Sequence, residues 1–137
     1  MSGRWALIVV LVLVARRLID VVEVRGASME PTLHPGDRLL LVRLQGVPRA
    51  GQVVVARDPR DPSRELVKRV AVVDERGVEL RGDNPSRSTD GRAFGRVPIS
   101  AVRWRAVVRY WPRQRLGRLP LIAPRAPSRP PSRAGGG

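Results

Sequence analysis

At 137 residues the chain has room for one ordinary domain, and its two ends differ in composition from its middle. Its 26 basic residues outnumber its 12 acidic ones for a formal charge of +14, which turns attention to anionic partners. With no cysteine, disulfides, zinc–thiolate sites and cysteine nucleophiles are excluded, and a single histidine, His34, excludes sites built on several imidazoles.

The arginines are spread along the whole chain instead of forming a block. One Tyr, one Phe and three Trp are too few for a repeated base-stacking platform. No nucleic-acid partner is therefore expected, and no metal or other cofactor. A basic β domain that binds nucleic acid or an anionic membrane without catalysis is the alternative that the charge keeps open.

In chain order, the first element is the apolar run Trp5–Ala15, flanked by Arg4 and by Arg16-Arg17. Eleven helical residues cover about half of a ~30 Å hydrocarbon core. Extension through Leu18-Ile19 and Val21-Val22 reaches spanning length if Arg16, Arg17 and Asp20 snorkel or the bilayer thins. A cleavable secretory signal has an apolar region of this size, but no small-x-small cleavage site comes after it; Arg16-Arg17-Leu18-Ile19-Asp20 is next. Residues 1–20 are thus expected to be an uncleaved, single-pass N-terminal anchor, with a peripheral or core helix as the other option. The heavier positive flank lies at the far end of the run, which places the β region beyond it on the cytoplasmic side.

From Val21 to Pro112 short strands alternate with turns. Val21–Val24, Arg38–Arg43, Gln52–Arg57, Glu65–Asp74, Val78–Arg81 and Val102–Trp111 are rich in valine and leucine, and clusters of Pro, Gly, Asp and Asn separate them. The pattern predicts a mainly β fold, a compact antiparallel barrel or sandwich, over residues 21–112. Beyond Trp111 the composition shifts to Pro, Arg, Ser and Gly, so 113–137 is expected to be a disordered tail.

Three islands within the β region carry candidate chemistry. In Arg25-Gly26-Ala27-Ser28-Met29-Glu30-Pro31-Thr32-Leu33 a serine stands at a sharp break after a strand. Gly26 permits unusual backbone angles there and Pro31 fixes the next turn. Most serines at such a break only satisfy backbone donors, and a nucleophile also needs a base. His34 shares the loop and returns poorly onto Ser28.

The sole lysine, Lys68, is the remaining base. Under strand alternation Leu66, Lys68, Val70 and Val72 share one apolar face, while Arg69 points to the other and can reach water. Desolvation on such a face favours the neutral amine, which an arginine in the same place could not become. The ordinary alternative is a snorkelling lysine at a sheet edge. The third island, Gly82-Asp83-Asn84-Pro85-Ser86-Arg87-Ser88-Thr89-Asp90-Gly91-Arg92, is dense in turn formers. It adds Ser88, a second hydroxyl able to orient a lysine, and Asp90 with Arg92, a supporting ion pair.

Together the islands resemble the type I signal peptidases, serine–lysine membrane proteases that remove leader peptides. The family's Gly-x-Ser-Met-x-Pro-Thr-Leu box is similar to Gly26–Leu33 and carries its nucleophile onto Ser28. Gly51-Gln52-Val53-Val54-Val55 resembles a Gly-Asp-x-Val-Val box with Gln52 in place of the acid. The Lys-Arg box falls on Lys68-Arg69, with Lys68 as base. Gly82–Arg92 resembles the Gly-Asp-Asn-x-x-x-Ser-x-Asp-Ser-Arg box, with Gly91 in place of a serine.

The resemblance implies a signal-peptidase-like catalytic domain in which Ser28 and Lys68 are catalytic. Gly82, Asp83, Asn84, Ser88, Asp90 and Arg92 support them, and Met29 and Val67 line the substrate pocket. The implied partners are a membrane and a precursor protein with an N-terminal leader. Pro31–Arg43 and Arg109-Tyr110-Trp111-Pro112 further resemble nickel-type superoxide dismutase maturation proteases. Self-cleaving repressors share the serine–lysine dyad and the Ser-Met-x-Pro turn, but they need a DNA-binding module upstream where this chain has an apolar run. Family members usually hold the domain outside the cytoplasm, against the charge bias of the N-terminal run, so the side of the membrane stays open.

Overall fold

A computed structural model describes residues 3–87 and 96–121. Helix α1 (Gly3–Leu18) takes up the N-terminal apolar run, and none of its residues is buried. Its sixteen residues extend about 24 Å. Among the described residues no helix is long and apolar enough to cross a membrane. The expected extension is lost because Ile19–Glu23 is strand β1, whose five residues pair with Arg38–Val42. Strand pairing there satisfies the backbone groups that a longer helix would have used.

The remaining strands are β2 (Arg38–Arg43), β3 (Val53–Asp58), β4 (Asp61–Asp74), β5 (Gly77–Arg81), β6 (Val102–Trp111) and β7 (Gly117–Arg118). They form one antiparallel sheet in the order β1-β2-β6-β3-β4-β5, with β7 added on β6. β4 is longer than the sequence suggested because the turn before it is tighter. The buried Asp58 carboxylate accepts the backbone N–H of Arg60 (2.9 Å) and its guanidinium (3.1 Å), which closes the hairpin at Pro59-Arg60. Pro62 falls in the stretch between the Asp58–Asp61 and Arg57–Glu65 pairs that the ladder skips, so its missing N–H breaks no pairing.

Valine and leucine on both faces of this sheet are buried. One core gathers Val24, Met29, Leu33, Leu39, Leu41, Val53, Val55, Trp104 and Ala106. The other gathers Val54, Ala56, Val70, Val78, Leu80, Val97 and Val102. Bulges at Leu40/Leu41, Val55/Ala56 and Val70/Val72 strengthen the twist and let the sheet wrap. The wrapping stops short of the closed barrel expected from the strand spacing. Val21–Met29 and Pro62–Lys68 line one cleft, yet among the described residues β1 pairs only with β2, and β4 meets β5 only from Arg69 onward.

The fold also continues past Pro112. A turn at Arg113–Arg115 leads into β7 on Val108-Arg109, and Leu119 packs on the first core. Of the segment 113–137 expected to be a tail, residues 122–137 lie outside the described residues.

Gly77 closes the β4–β5 turn with φ +119, and a Cβ built on it would lie 2.4 Å from the Val97 carbonyl oxygen. That carbonyl accepts the Val78 N–H at 2.8 Å, so a methyl group would push apart the bridge between Val78 and Val97. Gly77→Ala should lower unfolding free energy by about 1–3 kcal/mol. In the same denaturant titration Gly117→Ala, which meets nothing within 4 Å, should be close to neutral.

Candidate active site

The chain leaves β1 through Val24-Arg25 and turns at Gly26, whose φ of +76 suits glycine. A helical turn comes next, closed by the Leu33 N–H on the Met29 carbonyl at 2.8 Å. Met29 and Leu33 anchor this turn in the first core, 1% and 0% exposed. Ser28, between the glycine and the anchor, is half-buried. Its carbonyl accepts the Asn84 N–H at 2.8 Å, and the Asn84 side-chain amide donates to the Ala27 carbonyl at 3.2 Å. The Gly82–Asn84 island thus holds the serine loop by its backbone.

Lys68 sits on β4 opposite Val54 and is 4% exposed. The apolar row around it is shorter than alternation suggested. Leu66 is half-buried and Val70 buried, but the bulge after Val70 turns Val72 outward to 37% exposure. Among the described residues no buried side-chain nitrogen or oxygen lacks a hydrogen-bond partner. Ser28, Met29, Val67 and Lys68 all line a single open cleft of about 840 Å³.

Arg69 differs from its expected place in water; it is buried. Alternation does put it on the face away from Lys68, but that face belongs to the first core, since Arg69 pairs with Val53. Its charge is met by Asp83 in a two-pronged ion pair, with Nε and an Nη each 2.8 Å from a carboxylate oxygen. The other Nη donates to the carbonyls of Gly51 (2.7 Å) and Pro120 (3.0 Å). Thr32 adds its hydroxyl to Asp83 at 2.6 Å. One carboxylate therefore joins the turn that carries Ser28, the strand that carries Lys68, and the loop of Asn84.

A second polar group escaped the sequence reading. Asp37, in the Pro/Gly/Asp cluster that precedes Arg38–Arg43, is fully buried. It accepts the His34 N–H at 2.9 Å and forms ion pairs with Arg109 and Arg115. Arg109 also donates to the Thr32 carbonyl at 2.8 Å and the Arg115 carbonyl at 2.7 Å. The Arg115 guanidinium reaches the His34 ring. Turn chemistry accounted for Asp37 locally, and nothing in the sequence spacing announces partners 72 and 78 residues away. Ser88, Asp90 and Arg92 lie outside the described residues.

The family described as "Signal peptidase, peptidase S26" matches residues 3–81, more than half of the chain. The chain belongs to that family. It is 35% identical to the mitochondrial ATP-independent inner membrane protease subunit 1a of Arabidopsis thaliana, over 76% of this chain and 77% of the relative. It is 32% identical to the mitochondrial inner membrane protease subunit 1 of Homo sapiens over 67% of this chain and 69% of the relative. It is also 32% identical to the Danio rerio subunit 2, over 96% of this chain and 82% of the relative. Membership makes this signal peptidase relative a peptidase.

The Asp83 knot responds to acid. Burial alone raises the Asp83 carboxyl, but the Arg69 and Thr32 hydrogen bonds and the Arg69 charge outweigh it, leaving the group below its ordinary 3.8. A carboxyl lowered by folding contributes stability that is whole above the unfolded value. That contribution is lost as pH falls through the folded value. Asp83→Asn should therefore flatten the acid limb of the stability profile below about pH 4. At pH 7 it should cost about 3–5 kcal/mol by leaving the Arg69 charge buried without its partner. Urea titrations across that pH range measure both.

Proposed function

We propose that this signal peptidase relative is a serine endopeptidase that removes an N-terminal leader, with Ser28 as nucleophile and Lys68 as general base. The single observation that supports the reading most is that the half-buried serine and the 4%-exposed lysine line the same cleft. A buried amine is disfavoured in its charged form, and a neutral amine can take a proton.

In the proposed reaction Lys68 Nζ takes the Ser28 proton as Oγ attacks the scissile carbonyl, forming the tetrahedral oxyanion. Lys68 then returns that proton to the departing amine as the C–N bond breaks. Lys68 Nζ next takes a proton from water as that water attacks the acyl ester, and returns it to Ser28 Oγ as the ester C–O bond breaks, which frees the acid and regenerates Ser28. Among the described residues nothing accepts the Ser28 N–H, which leaves it able to donate to the oxyanion. Gly26 brings no hydroxyl to assist it.

The substrate fits as an extended strand. Cleft-lining residues 62–68 of β4 have no strand on their outer side among the described residues, and the β1 wall is a sheet edge as well. A peptide inserted there gains main-chain hydrogen bonds, and Met29 and Val67 serve as walls for small side chains before the cut. Ser88, Asp90 and Arg92 belong to the same proposal as supports for Lys68. The resemblance of Pro31–Arg43 and Arg109–Pro112 to nickel-type superoxide dismutase maturation proteases makes that enzyme's precursor the first substrate to assay.

The relatives' names place them at an inner membrane, and α1 is the segment we assign to membrane attachment here. Apolar side chains from Trp5 to Val14 are exposed, from 47% at Val14 to 66% at Trp5, and they cover the helix without a polar stripe. At about 24 Å the helix crosses only with local thinning or with Arg4 and Arg16 snorkelling to the headgroups.

Two outcomes check these statements. Ser28→Ala and Lys68→Arg should each cut precursor cleavage by about 10²–10⁴-fold or more while the far-ultraviolet circular dichroism stays unchanged. Sequencing of new N-termini reads this, and wild-type activity in Lys68→Arg removes the lysine from the mechanism. C-terminal reporter fusions should report a cytoplasmic domain, in keeping with Arg16 and Arg17. An extracytoplasmic signal overturns that orientation.

A further inference from the structure

We propose that the part of the cleft beside β4 residues 64–67 selects substrates carrying acidic side chains, through Arg57 and Arg103 flanked by Arg64. This deepens the protease reading and rests on it. The lining of the cleft runs down β4 from Lys68 to Pro62, and along that stretch three adjacent strands each present an arginine. Arg64 comes from β4 and Arg57 from β3, opposite Glu65. Arg103 comes from β6, where the bulge between the Val55–Trp104 and Ala56–Val102 pairs adds an unpaired residue. Among the described residues Glu65 is the one carboxylate lining this stretch, Glu23 being on the β1 wall.

Several arginines of the fold are held by its own carboxylates, among them Arg69, Arg81, Arg96, Arg109 and Arg115. Among the described residues Arg57, Arg64 and Arg103 form no ion pair within 4.0 Å. The nearby acids are already engaged: Asp58 is buried against Arg60, and Asp61 accepts both the N–H and the hydroxyl of Ser63. The charge of Arg64 reaches Asp61 and is partly offset by it, so Arg57 and Arg103 carry most of the surplus. In a recess with low-dielectric walls, fixed guanidiniums raise the local concentration of an oppositely charged chain.

The position of the acid in the substrate is set by strand geometry. A peptide paired with β4 advances about 3.3 Å per residue, in step with the strand itself. Arg57 pairs with Glu65, three residues before Lys68; Arg103 falls level with Leu66 and Val67, the β4 partners of Ala56 and Val55; and Arg64 precedes Lys68 by four. The favoured acids therefore lie about two to four residues from the cleaved bond, on one flank of it.

The test uses the full chain in detergent with fluorescein-labelled leader peptides. These carry an Asp pair, an Asn pair or a Lys pair tiled two to eight residues from the bond on either side. Wild type should prefer Asp over Asn by about 5-fold in kcat/KM on one flank, and 0.5 M salt should collapse the preference. In Arg57→Glu/Arg103→Glu the order of Asp and Lys peptides should invert, and Arg57→Lys/Arg103→Lys should restore the wild-type order.

Anisotropy of the same peptides on Ser28→Ala protein reads the preference without turnover. Cleavage that depends on Ser28 but ignores the Asp pair overturns this inference and leaves the protease intact. An Asp preference in binding, with no Ser28-dependent cleavage, keeps the acid-reading cleft and removes the protease. If the charge reversal instead abolishes binding to phosphatidylglycerol vesicles and leaves the peptide order unchanged, the arginines serve lipid headgroups and the proposal falls.

Discussion

The ion pair between Arg69 and Asp83 is the constraint on which the arrangement of the site depends. Each partner is the chain neighbour of a residue that matters: Arg69 comes directly after Lys68, and Asp83 precedes Asn84, which holds the Ser28 and Ala27 carbonyls. Thr32 brings the far side of the serine turn to the same carboxylate. Burying two charges costs several kcal/mol per ion, which their attraction recovers only with good geometry. Here the geometry is two-pronged and the remaining guanidinium donor is used on carbonyls. Net stabilisation from such a pair is small, whereas displacing either partner is expensive. Its effect is to fix three segments relative to one another.

The open sheet is the complement of that rigidity. A closed barrel would have no free edges, and free edges invite unwanted pairing. This fold leaves two of them facing one cleft, with a proline and a skipped pairing at one end and arginines around it. Such features discourage casual strand addition along the exposed stretch while leaving residues near Lys68 regular. The Asp37 cluster works on the other side of the serine turn. It ties Thr32 and His34 to β6 and to the chain after Pro112, so the turn is held at both ends.

The strands were legible because valine-rich runs and Pro/Gly/Asp turns are local signals; Arg38–Arg43 and Val102–Trp111 were read to the residue. Placement of charge was not. Period-2 alternation assigned Arg69 to the opposite face from Lys68 correctly, but it cannot say whether that face meets water or a second core. That depends on whether the sheet wraps, and the bulges that wrap it have no signature in composition. Arg109 and Arg115 looked like the rest of an arginine-rich chain, and the Pro/Arg composition after Trp111 concealed a segment that Arg115 and Leu119 fasten to the domain. The apolar N-terminus was legible as a helix, while its end at Leu18 depends on long-range pairing with β2.

The contrast between the adjacent residues Lys68 and Arg69 then has a physical reason. Both are basic and both are buried, and a genome that writes arginine almost everywhere kept lysine at only one of them. The guanidinium of Arg69 needs several donors in a fixed plane to engage one carboxylate and two carbonyls, which an ammonium cannot reproduce. A guanidinium cannot give up its proton either, so at position 68 it would stay charged whatever the burial. On the proposed mechanism the two positions ask opposite things of a cation, permanence at Arg69 and reversibility at Lys68. One strand supplies both because successive side chains leave it on opposite faces, so that an apolar row and an ion pair can be built one residue apart.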